Sequence, residues 1–156
     1  MAAARAVTAK QLYAKLSPAT WNVAESARAV AHAGADGLSL INTIRGLAID
    51  PATGRPKLAL GVGGYSGPAL KPIALACVQS CAEAVELPIV GMGGVFSGRD
   101  VADLASVGAG AVALGTVLFV DPWAAPRIRS ELAHELTAAV TDRQPIERGS
   151  VSSPTL

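Results

Sequence analysis

Apolar residues along this chain occur in short runs, separated by longer stretches in which they recur every three or four positions. Short runs predict β-strands, and the wider spacing predicts helices with one buried face. The four predicted strands are residues 12–16, 36–41, 87–90 and 111–114. The predicted helices are approximately residues 22–34, 68–85, 98–107 and 121–140. Strands that alternate with helices in this way are typical of parallel βα units.

The chain also repeats one sequence pattern, which supports parallel βα units. Residues 33–40 (AGADGLSL) and residues 107–114 (VGAGAVAL) both pass from the end of a predicted helix through Gly-Ala into a predicted strand. The strand count gives about four βα units, whereas a closed (β/α)8 barrel needs eight. The predicted fold is therefore α/β, with residues 1–140 as a partial (β/α) barrel and the polar residues 141–156 as a disordered tail.

One stretch between the second and third predicted strands lacks a regular pattern. Residues 44–57 carry several Pro and Gly turn signals and are predicted to form a loop. Residues 58–60 are apolar enough for a short strand, and the glycine-rich residues 61–67 are predicted to be a turn.

Composition and charge remove several functional classes. The 156 residues carry a formal net charge of +1 and no basic cluster, so neither nucleic acid nor an acidic membrane surface is expected as a partner. No apolar run approaches the roughly 18 residues that a membrane span needs. The first ten residues lack the continuous apolar segment of a signal peptide. A cytoplasmic protein is expected.

The two cysteines, Cys77 and Cys81, lie four positions apart on one face of a predicted helix. Free cysteine on such a face behaves as a small apolar residue, so packing in the core is the favoured interpretation. A redox role or a metal site is the alternative, although neither histidine lies near in sequence.

Glycine-rich segments stand at three predicted turns. Residues 91–94 (GMGG) follow a strand, and glycine there lets the backbone turn tightly and approach a ligand. Ser97 and Asp100 then predict a helix N-cap, whose free amides and dipole favour an anion. Residues 63–67 and the Gly-Thr pair at 115–116 are the other two segments. Amides from successive βα turns hold phosphate in (β/α) barrels, so a phosphate-bearing cofactor is predicted.

Three polar side chains come at the ends of predicted strands. Lys15 lies near the carboxyl end of the first strand, and Asn42 and Thr43 directly follow the second. In a (β/α) barrel this end of the strands faces the active site. The alternatives are a surface lysine and two ordinary turn residues.

Several segments of the chain closely resemble dihydroorotate dehydrogenase. They are AKLSP at 14–18, GADGLSLINTIRGLAID at 34–50, GGYSGPALKPIAL at 63–75, GMGG at 91–94 and Gly-Thr at 115–116. The match runs over residues 12–123 in the family's order and spacing, and it corresponds to the C-terminal half of the family's (β/α)8 TIM barrel. The NTIRG and GPALKP segments resemble the NAD-linked, two-subunit type (class 1, type B catalytic subunit) in particular.

The resemblance implies an activity, a cofactor and partners. The activity is FMN-dependent oxidation of dihydroorotate to orotate in the synthesis of UMP. In the NAD-linked type, electrons pass to a partner subunit that carries FAD and an iron–sulfur cluster. A homo-oligomer is also expected.

The resemblance further implies roles for individual residues. Lys15 matches the lysine that hydrogen-bonds the flavin ring, and Asn42 and Thr43 match the pair that binds dihydroorotate or orotate. The positions that match other FMN contacts are Ile41, Gly67, Gly93, Gly94, Gly115 and Thr116. Ala19 and Val62 depart from the family's usual Asn and Thr near the site, and neither departure removes one of these contacts.

The family's general base is a cysteine in the N-terminal half, a part of the barrel that this sequence does not match. No catalytic residue is therefore expected among these 156 residues, because Cys77 and Cys81 lie within a helix after a different strand. The chain is interpreted as a fragment or a truncated protein that carries the FMN phosphate and part of the substrate site.

Two alternatives accompany this interpretation. The FMN barrel of dihydropyrimidine dehydrogenase shares the GGxSG segment, although residues 45–50 (RGLAID) favour dihydroorotate dehydrogenase. The other alternative, from a different functional class, is a non-catalytic half-barrel that binds only phosphate ligands or partners.

Overall fold

The computed structural model describes residues 1–141 of the chain. The strands in this part are β1 (Tyr13–Leu16), β2 (Gly37–Leu40), β3 (Ile44–Leu47), β4 (Val62–Tyr65), β5 (Ile89–Gly91) and β6 (Ala111–Val112). The α-helices are α1 (Ala2–Arg5), α2 (Val23–His32), α3 (Lys71–Ala82), α4 (Gly98–Ser106), α5 (Val117–Val120) and α6 (Ala124–Thr141). A 3₁₀ turn, Pro68–Leu70, leads directly into α3. The predicted tail lies outside the described residues, apart from Thr141.

Four strands form one parallel sheet in the order β1-β2-β5-β6. Each strand of this sheet therefore lies beside the next one along the chain. A doubly wound sheet would reverse its order at a switch point, whereas a (β/α) barrel adds its strands in sequence. The predicted α/β fold with about four βα units is confirmed.

Helices cover one face of this sheet and form the main core with it. Leu38 and Leu40 of β2, Val78 of α3 and Leu104 of α4 are completely buried in that core. Because side chains alternate along a strand, the intervening residues lie on the opposite face. Lys15 is exposed on that face, in register with Ser39 of β2. This uncovered face corresponds to the interior of a barrel.

The loop predicted for residues 44–57 is wrong in its first part. Residues Ile44–Leu47 form β3, which pairs antiparallel with β4, a strand that lies within the predicted glycine turn. Strand β4 is not recognisable from the sequence, because Gly63 and Gly64 leave it without the alternating apolar and polar side chains of a strand. The predicted strand at residues 58–60 is also wrong, since the chain there makes one isolated bridge, from Leu58 to Gly61.

The chain after β6 also differs from the expectation. A single helix is predicted from Asp121, but the short helix α5 comes first and α6 begins only at Ala124. The Asp121 carboxylate accepts a hydrogen bond from the Trp123 amide at 2.9 Å, so it closes a turn between the two helices. The predicted start of α2 is confirmed, because the Asn22 side chain accepts a hydrogen bond from the Glu25 amide.

Candidate functional site

A cleft of about 370 Å³ opens at the carboxyl ends of the parallel strands. It is lined by β1 and by the segments that follow β2, β4, β5 and β6. All nine residues predicted from the sequence line it: Lys15, Ile41, Asn42, Thr43, Gly67, Gly93, Gly94, Gly115 and Thr116. Ligands bind at this end of the strands in (β/α) barrels, so the cleft is the candidate site.

Gly93 and Gly94 form a tight turn directly after β5. Their φ angles of +119° and +76° are ones that L side chains rarely adopt. A Cβ on Gly94 would lie 2.5 Å from the backbone nitrogen of Lys71, and a Cβ on Gly93 would lie 2.9 Å from the Ile41 side chain. Both positions of this turn therefore require glycine, for backbone conformation and for space. The backbone of Gly94 packs directly against the start of α3.

Gly67 and Gly115 border the cleft in a different way. A Cβ at either position would meet no atom within 4 Å. Because both residues line the cleft, the space beside their backbones is open to a ligand. Gly67 additionally has a φ of +109°, whereas Gly115 is not in a positive-φ conformation.

Several backbone amides at the cleft are available to a ligand. Within residues 1–141, the N–H groups of Gly93, Gly94, Gly115 and Thr116 donate to no protein oxygen. Of the described residues that line the cleft, none carries a carboxylate, and Lys15 is the one with a charge. Unpaired amides and a cationic side chain among the residues that line one cleft favour an anionic group.

Most amides at the N-terminus of α4 are occupied by the protein itself, in contrast to the expectation from the sequence. The predicted capping box is present, since Ser97 Oγ and the Asp100 carboxylate each accept from the other's backbone amide. The same carboxylate oxygen of Asp100 accepts from the Phe96 amide at 2.9 Å. The protein's own carboxylate therefore takes these donors, whereas the amides of the glycine turns stay unpaired within the described residues.

The Asp100 carboxylate is charged at neutral pH despite being largely buried. Burial alone would raise the pKa of Asp100, but hydrogen bonds from Lys71, Phe96 and Ser97 outweigh burial and hold this pKa below its usual value. Lys71 Nζ lies 2.5 Å from Asp100 Oδ1. The carboxylate thus joins α3 to the segment that follows the glycine turn.

Helix α6 holds the same segment from its other side. Gly98 N donates to Glu131 Oε2 at 2.8 Å, and this hydrogen bond, with a further one from Arg127, lowers the pKa of Glu131. Arg127 also donates to the carbonyl oxygen of Phe96 at 3.3 Å. The backbone from Phe96 to Gly98 is therefore fixed by α4 and α6 together.

Lys15 is the cationic side chain of the cleft. Its Nζ lies 3.0 Å from Sδ of Met92. A thioether is a weak acceptor, so the ammonium group is left with most of its hydrogen-bonding capacity for a ligand. Lys15 belongs to the uncovered face of β1, which explains why a lysine is tolerated within a strand of the sheet.

Asn42 and Thr43 lie on the segment that links β2 to the β3–β4 hairpin. The Asn42 amide donates to the Leu16 carbonyl at 2.9 Å, and the Thr43 amide donates to Asn42 Oδ1 at 3.0 Å. Gly64 of β4 packs so closely on Thr43 that a Cβ there would overlap the threonine hydroxyl. The hairpin missed by the sequence analysis therefore positions a predicted substrate residue.

The cysteines lie away from the cleft, packed in or against the core. Cys81 is completely buried, and burial, with a contribution from Cys77, raises its pKa to about 11. Cys77 is half-buried, and burial raises its pKa as well. Both are free thiols, so the interpretation as core residues is confirmed.

Sequence reasoning missed other residues of the lining. Met92 and Ser66 contribute to it. Ser66 lies within the glycine-rich segment that drew attention, and its place before Gly67 was a usable signal. Met92 carries no chemical signal in the sequence, because an apolar residue at a strand end is equally typical of the core.

The sequential parallel strands and the cleft at their carboxyl ends are those of a protein of the (β/α)-barrel class. Comparison with known proteins is more specific. The family model described as "Dihydroorotate dehydrogenase" matches residues 1–136. The chain belongs to the dihydroorotate dehydrogenase family.

Curated relatives of this chain are named "Dihydroorotate dehydrogenase B (NAD(+)), catalytic subunit". That of Anoxybacillus flavithermus is 49% identical over 130 residues, which are 83% of this chain and 42% of the relative. That of Malacoplasma penetrans is 46% identical over 130 residues, with the same coverage. The chain thus spans about two fifths of the length of these relatives.

A solved structure of DHODH from Eimeria tenella, in complex with ferulenol, has a similar fold. Its TM-score is 0.70 at 27% identity, covering 84% of this chain and 35% of that one. Among the described residues of this chain, no helix has the length and apolar character that crossing a membrane requires.

Proposed function

We propose that this chain forms the FMN-binding and substrate-binding part of a cytoplasmic dihydroorotate dehydrogenase, which oxidises dihydroorotate to orotate in pyrimidine (UMP) biosynthesis. One observation carries the proposal: five different segments of the chain contribute to the lining of one cleft. They supply the Lys15 cation, the Asn42 and Thr43 side chains, and the glycine turns at Gly67, Gly93-Gly94 and Gly115. The family to which the chain belongs supports the same activity.

The residues of the cleft fit the phosphate group of FMN. Gly93, Gly94, Gly115 and Thr116 offer amides that the protein leaves unpaired within residues 1–141. The open space beside Gly67 and Gly115 lets a phosphate approach the backbone, because no side chain occupies it. No carboxylate of the described residues lines the cleft to repel the anion. Ile41, also in the lining, contacts the flavin in this proposal.

Asn42 and Thr43 bind the substrate in this proposal. A carboxamide can donate and accept hydrogen bonds at once, and a hydroxyl can do the same. Dihydroorotate presents ring carbonyls, ring N–H groups and a carboxylate, which such a pair can satisfy. The two residues follow β2, beside Lys15 of β1, so substrate and flavin would meet at adjacent strand ends.

FMN, when bound, supplies the redox chemistry by accepting a hydride from the substrate. The contribution of this chain is binding, orientation and charge. Lys15 places an ammonium group where it stabilises negative charge on the flavin ring, an interaction that strengthens as the charge develops. None of the residues described here is proposed as the catalytic base: Cys77 and Cys81 do not line the cleft, and burial keeps both thiols protonated.

The proposal includes partners. The relatives' printed names contain "NAD(+)" and "catalytic subunit". By analogy, we propose that the complete barrel forms a homo-oligomer and passes electrons to a subunit with FAD and an iron–sulfur cluster.

Orotate binding to the FMN-loaded chain tests the proposed function. Orotate should perturb the visible absorption spectrum of the bound flavin, because the two ligands would be in contact. Asn42→Ala should weaken this effect at least tenfold, the loss that about 1.4 kcal/mol of binding free energy produces. Asn22→Ser is the matched control, since it keeps a helix cap and lies outside the cleft.

The alternatives give different results in this experiment. FMN binding without any response to orotate would contradict dihydroorotate oxidation and favour a non-catalytic phosphate-binding protein. A spectral response to uracil or thymine and none to orotate would favour the activity of dihydropyrimidine dehydrogenase.

A further inference from the structure

We propose that Lys71 is a positioning residue that holds two of the cleft's glycine turns in their ligand-binding geometry, without contacting the ligand itself. The inference rests on the proposed function, since it takes these turns as the phosphate site. Lys71 does not line the cleft, although it lies beside it. Its ammonium group is instead held by two carboxylates, Asp100 at 2.5 Å and Asp103 at 2.7 Å.

The first turn that Lys71 holds is Gly93-Gly94. Oδ1 of Asp100 contacts Lys71, and Oδ2 of the same carboxylate accepts from the amides of Phe96 and Ser97 at 2.9 and 2.8 Å. One carboxylate thus joins the lysine to the backbone immediately after the turn. Gly94 rests directly on the backbone of Lys71, where a Cβ would lie 2.5 Å from the nitrogen.

The second turn that Lys71 holds is at Gly67. Lys71 is the first residue of α3, and only the 3₁₀ turn Pro68–Leu70 separates it from Gly67. Leu70 N donates to the Gly67 carbonyl at 3.0 Å, so this connection is short and fixed. Both turns therefore depend on where the start of α3 lies relative to α4, and the ion pairs of Lys71 fix that distance.

The charge at Lys71 is neutralised by its neighbours and is not directed at the ligand. Its side chain is one quarter exposed and that of Asp100 13% exposed, so water screens this ion pair less than a surface pair. Removing the cation would leave Asp100 buried without a positive partner, which is strongly unfavourable. The carboxylate would then turn toward water and release the amides of Phe96 and Ser97.

Amide hydrogen exchange on the unloaded chain provides the first part of the test. Lys71→Met should speed exchange at Phe96 and Ser97 at least tenfold and leave exchange in β1 and β2 unchanged. Lys71→Arg should restore slow exchange, because it keeps the charge between the carboxylates. Arg99→Met is the matched control, since Arg99 also pairs with Asp103, at 2.9 Å, but is largely exposed. Unchanged exchange in Lys71→Met, or equal acceleration throughout the chain, would overturn the proposal.

The second part measures binding of FMN and of riboflavin, which lacks the phosphate. Lys71→Met should lower the affinity for FMN roughly tenfold, as expected if one hydrogen bond from a displaced turn amide to the phosphate is lost, and leave riboflavin binding unchanged. A purely structural role would weaken both ligands equally, which would also overturn the proposal. If the wild-type chain bound no FMN, the cofactor assignment would fail, while hydrogen exchange would still decide the role of Lys71. If Lys71→Met did not fold, Asp103→Asn would take its place in both measurements, with the same pattern and a smaller effect expected. Unchanged exchange and unchanged FMN affinity in Asp103→Asn would then overturn the proposal.

Discussion

The glycines of the cleft differ in what a side chain would do at each of them. At Gly94, a Cβ would meet the backbone of Lys71, so a larger residue would push the turn away from α3. At Gly115, the same atom would enter empty space beside the cleft. Glycine at position 94 is therefore required by the fold, whereas glycine at position 115 keeps space open for a ligand.

Substitution at these two glycines gives opposite patterns of stability and binding. Gly115→Val should lower the affinity for FMN more than tenfold and change the melting temperature little, because the side chain obstructs only the ligand. Gly94→Val should lower both, since its strain at positive φ alone costs about 1–3 kcal/mol. Flavin fluorescence and thermal unfolding measure the two effects.

Gly54→Ala is the control for backbone strain. Gly54 has a φ of +66° and would have no neighbour within 4 Å of its Cβ, and it lies outside the cleft. This variant should lose some stability and keep full FMN affinity. Normal FMN binding by Gly115→Val would contradict the placement of the phosphate beside that residue.

At the scale of elements, the segment between β5 and α4 is held in place by charged side chains. Asp100 holds it from α4, while Glu131 and Arg127 hold it from α6. The lowered pKa of Asp100 makes this arrangement sensitive to acid. A carboxyl group whose pKa is lowered by folding stabilises the protein above its unfolded pKa of about 3.9, and this contribution is lost as the pH falls through the folded pKa.

Asp100→Asn should therefore change how stability depends on pH. The wild-type chain should unfold at a higher temperature than the variant above about pH 5, where the unfolded carboxyl group is ionised. The difference should shrink as the pH falls from about 4 through the folded pKa, because the unfolded carboxyl group is protonated first and the folded carboxylate last. Thermal unfolding followed by circular dichroism at several pH values measures it. A difference that stayed constant down to pH 2 would show that the charge of Asp100 does not contribute.

The β3–β4 hairpin makes a second prediction at this scale. Gly64→Ala should displace Thr43, on which Gly64 packs, and weaken orotate binding several-fold without changing FMN affinity. Gly46→Ala is the control in the same hairpin, since its Cβ would contact only Tyr65. Equal orotate affinity in Gly64→Ala and the wild-type chain would remove the hairpin from the substrate site.

How well an element could be predicted from the sequence depended on whether its side chains show a pattern. The helix that Asn22 caps and the buried run of β2 were predictable, because capping and burial each select particular residue types. Strand β4 was not predictable, since two of its four residues are glycine. The hydrogen bond from the Ser97 amide to Asp100 was predictable from the N-cap pattern, but the one from the Phe96 amide was not, because such a pattern does not show how many donors one carboxylate takes.

The lining of the cleft was more predictable than the fold around it. Glycine turns at strand ends stand out in a sequence, and the resemblance to a known family pointed to the other predicted residues that line the cleft. The ion pairs of Lys71, by contrast, could not be predicted from the sequence. Its partners lie 29 and 32 positions away, on a helix whose distance from α3 only the folded structure gives.

On the scale of the whole molecule, the sheet is open. Strands β1 and β6 each pair on one side only within the described part of the chain. Large apolar side chains are also exposed at the hairpin and at α5, among them Leu60 at 92% and Phe119 at 91%. Unpaired strand edges and exposed apolar surface both favour association with other chains.

The chain expressed by itself should therefore self-associate. Light scattering at micromolar concentrations should give a mass of at least twice the 15.7 kDa of one chain. Adding the remaining strands of a longer relative as a separate polypeptide should compete with that association. A stable monomer at these concentrations would contradict the conclusion that the open sheet edges are available for pairing.

The central claim is that the glycine turns at the ends of three strands hold the phosphate of a flavin nucleotide. Titration of the chain with FMN and with riboflavin, followed by flavin fluorescence, tests it most directly, because the two ligands differ only in the phosphate. FMN should bind at least tenfold more tightly than riboflavin, and inorganic phosphate should compete with FMN but not with riboflavin. Equal affinity for the two flavins would contradict the account.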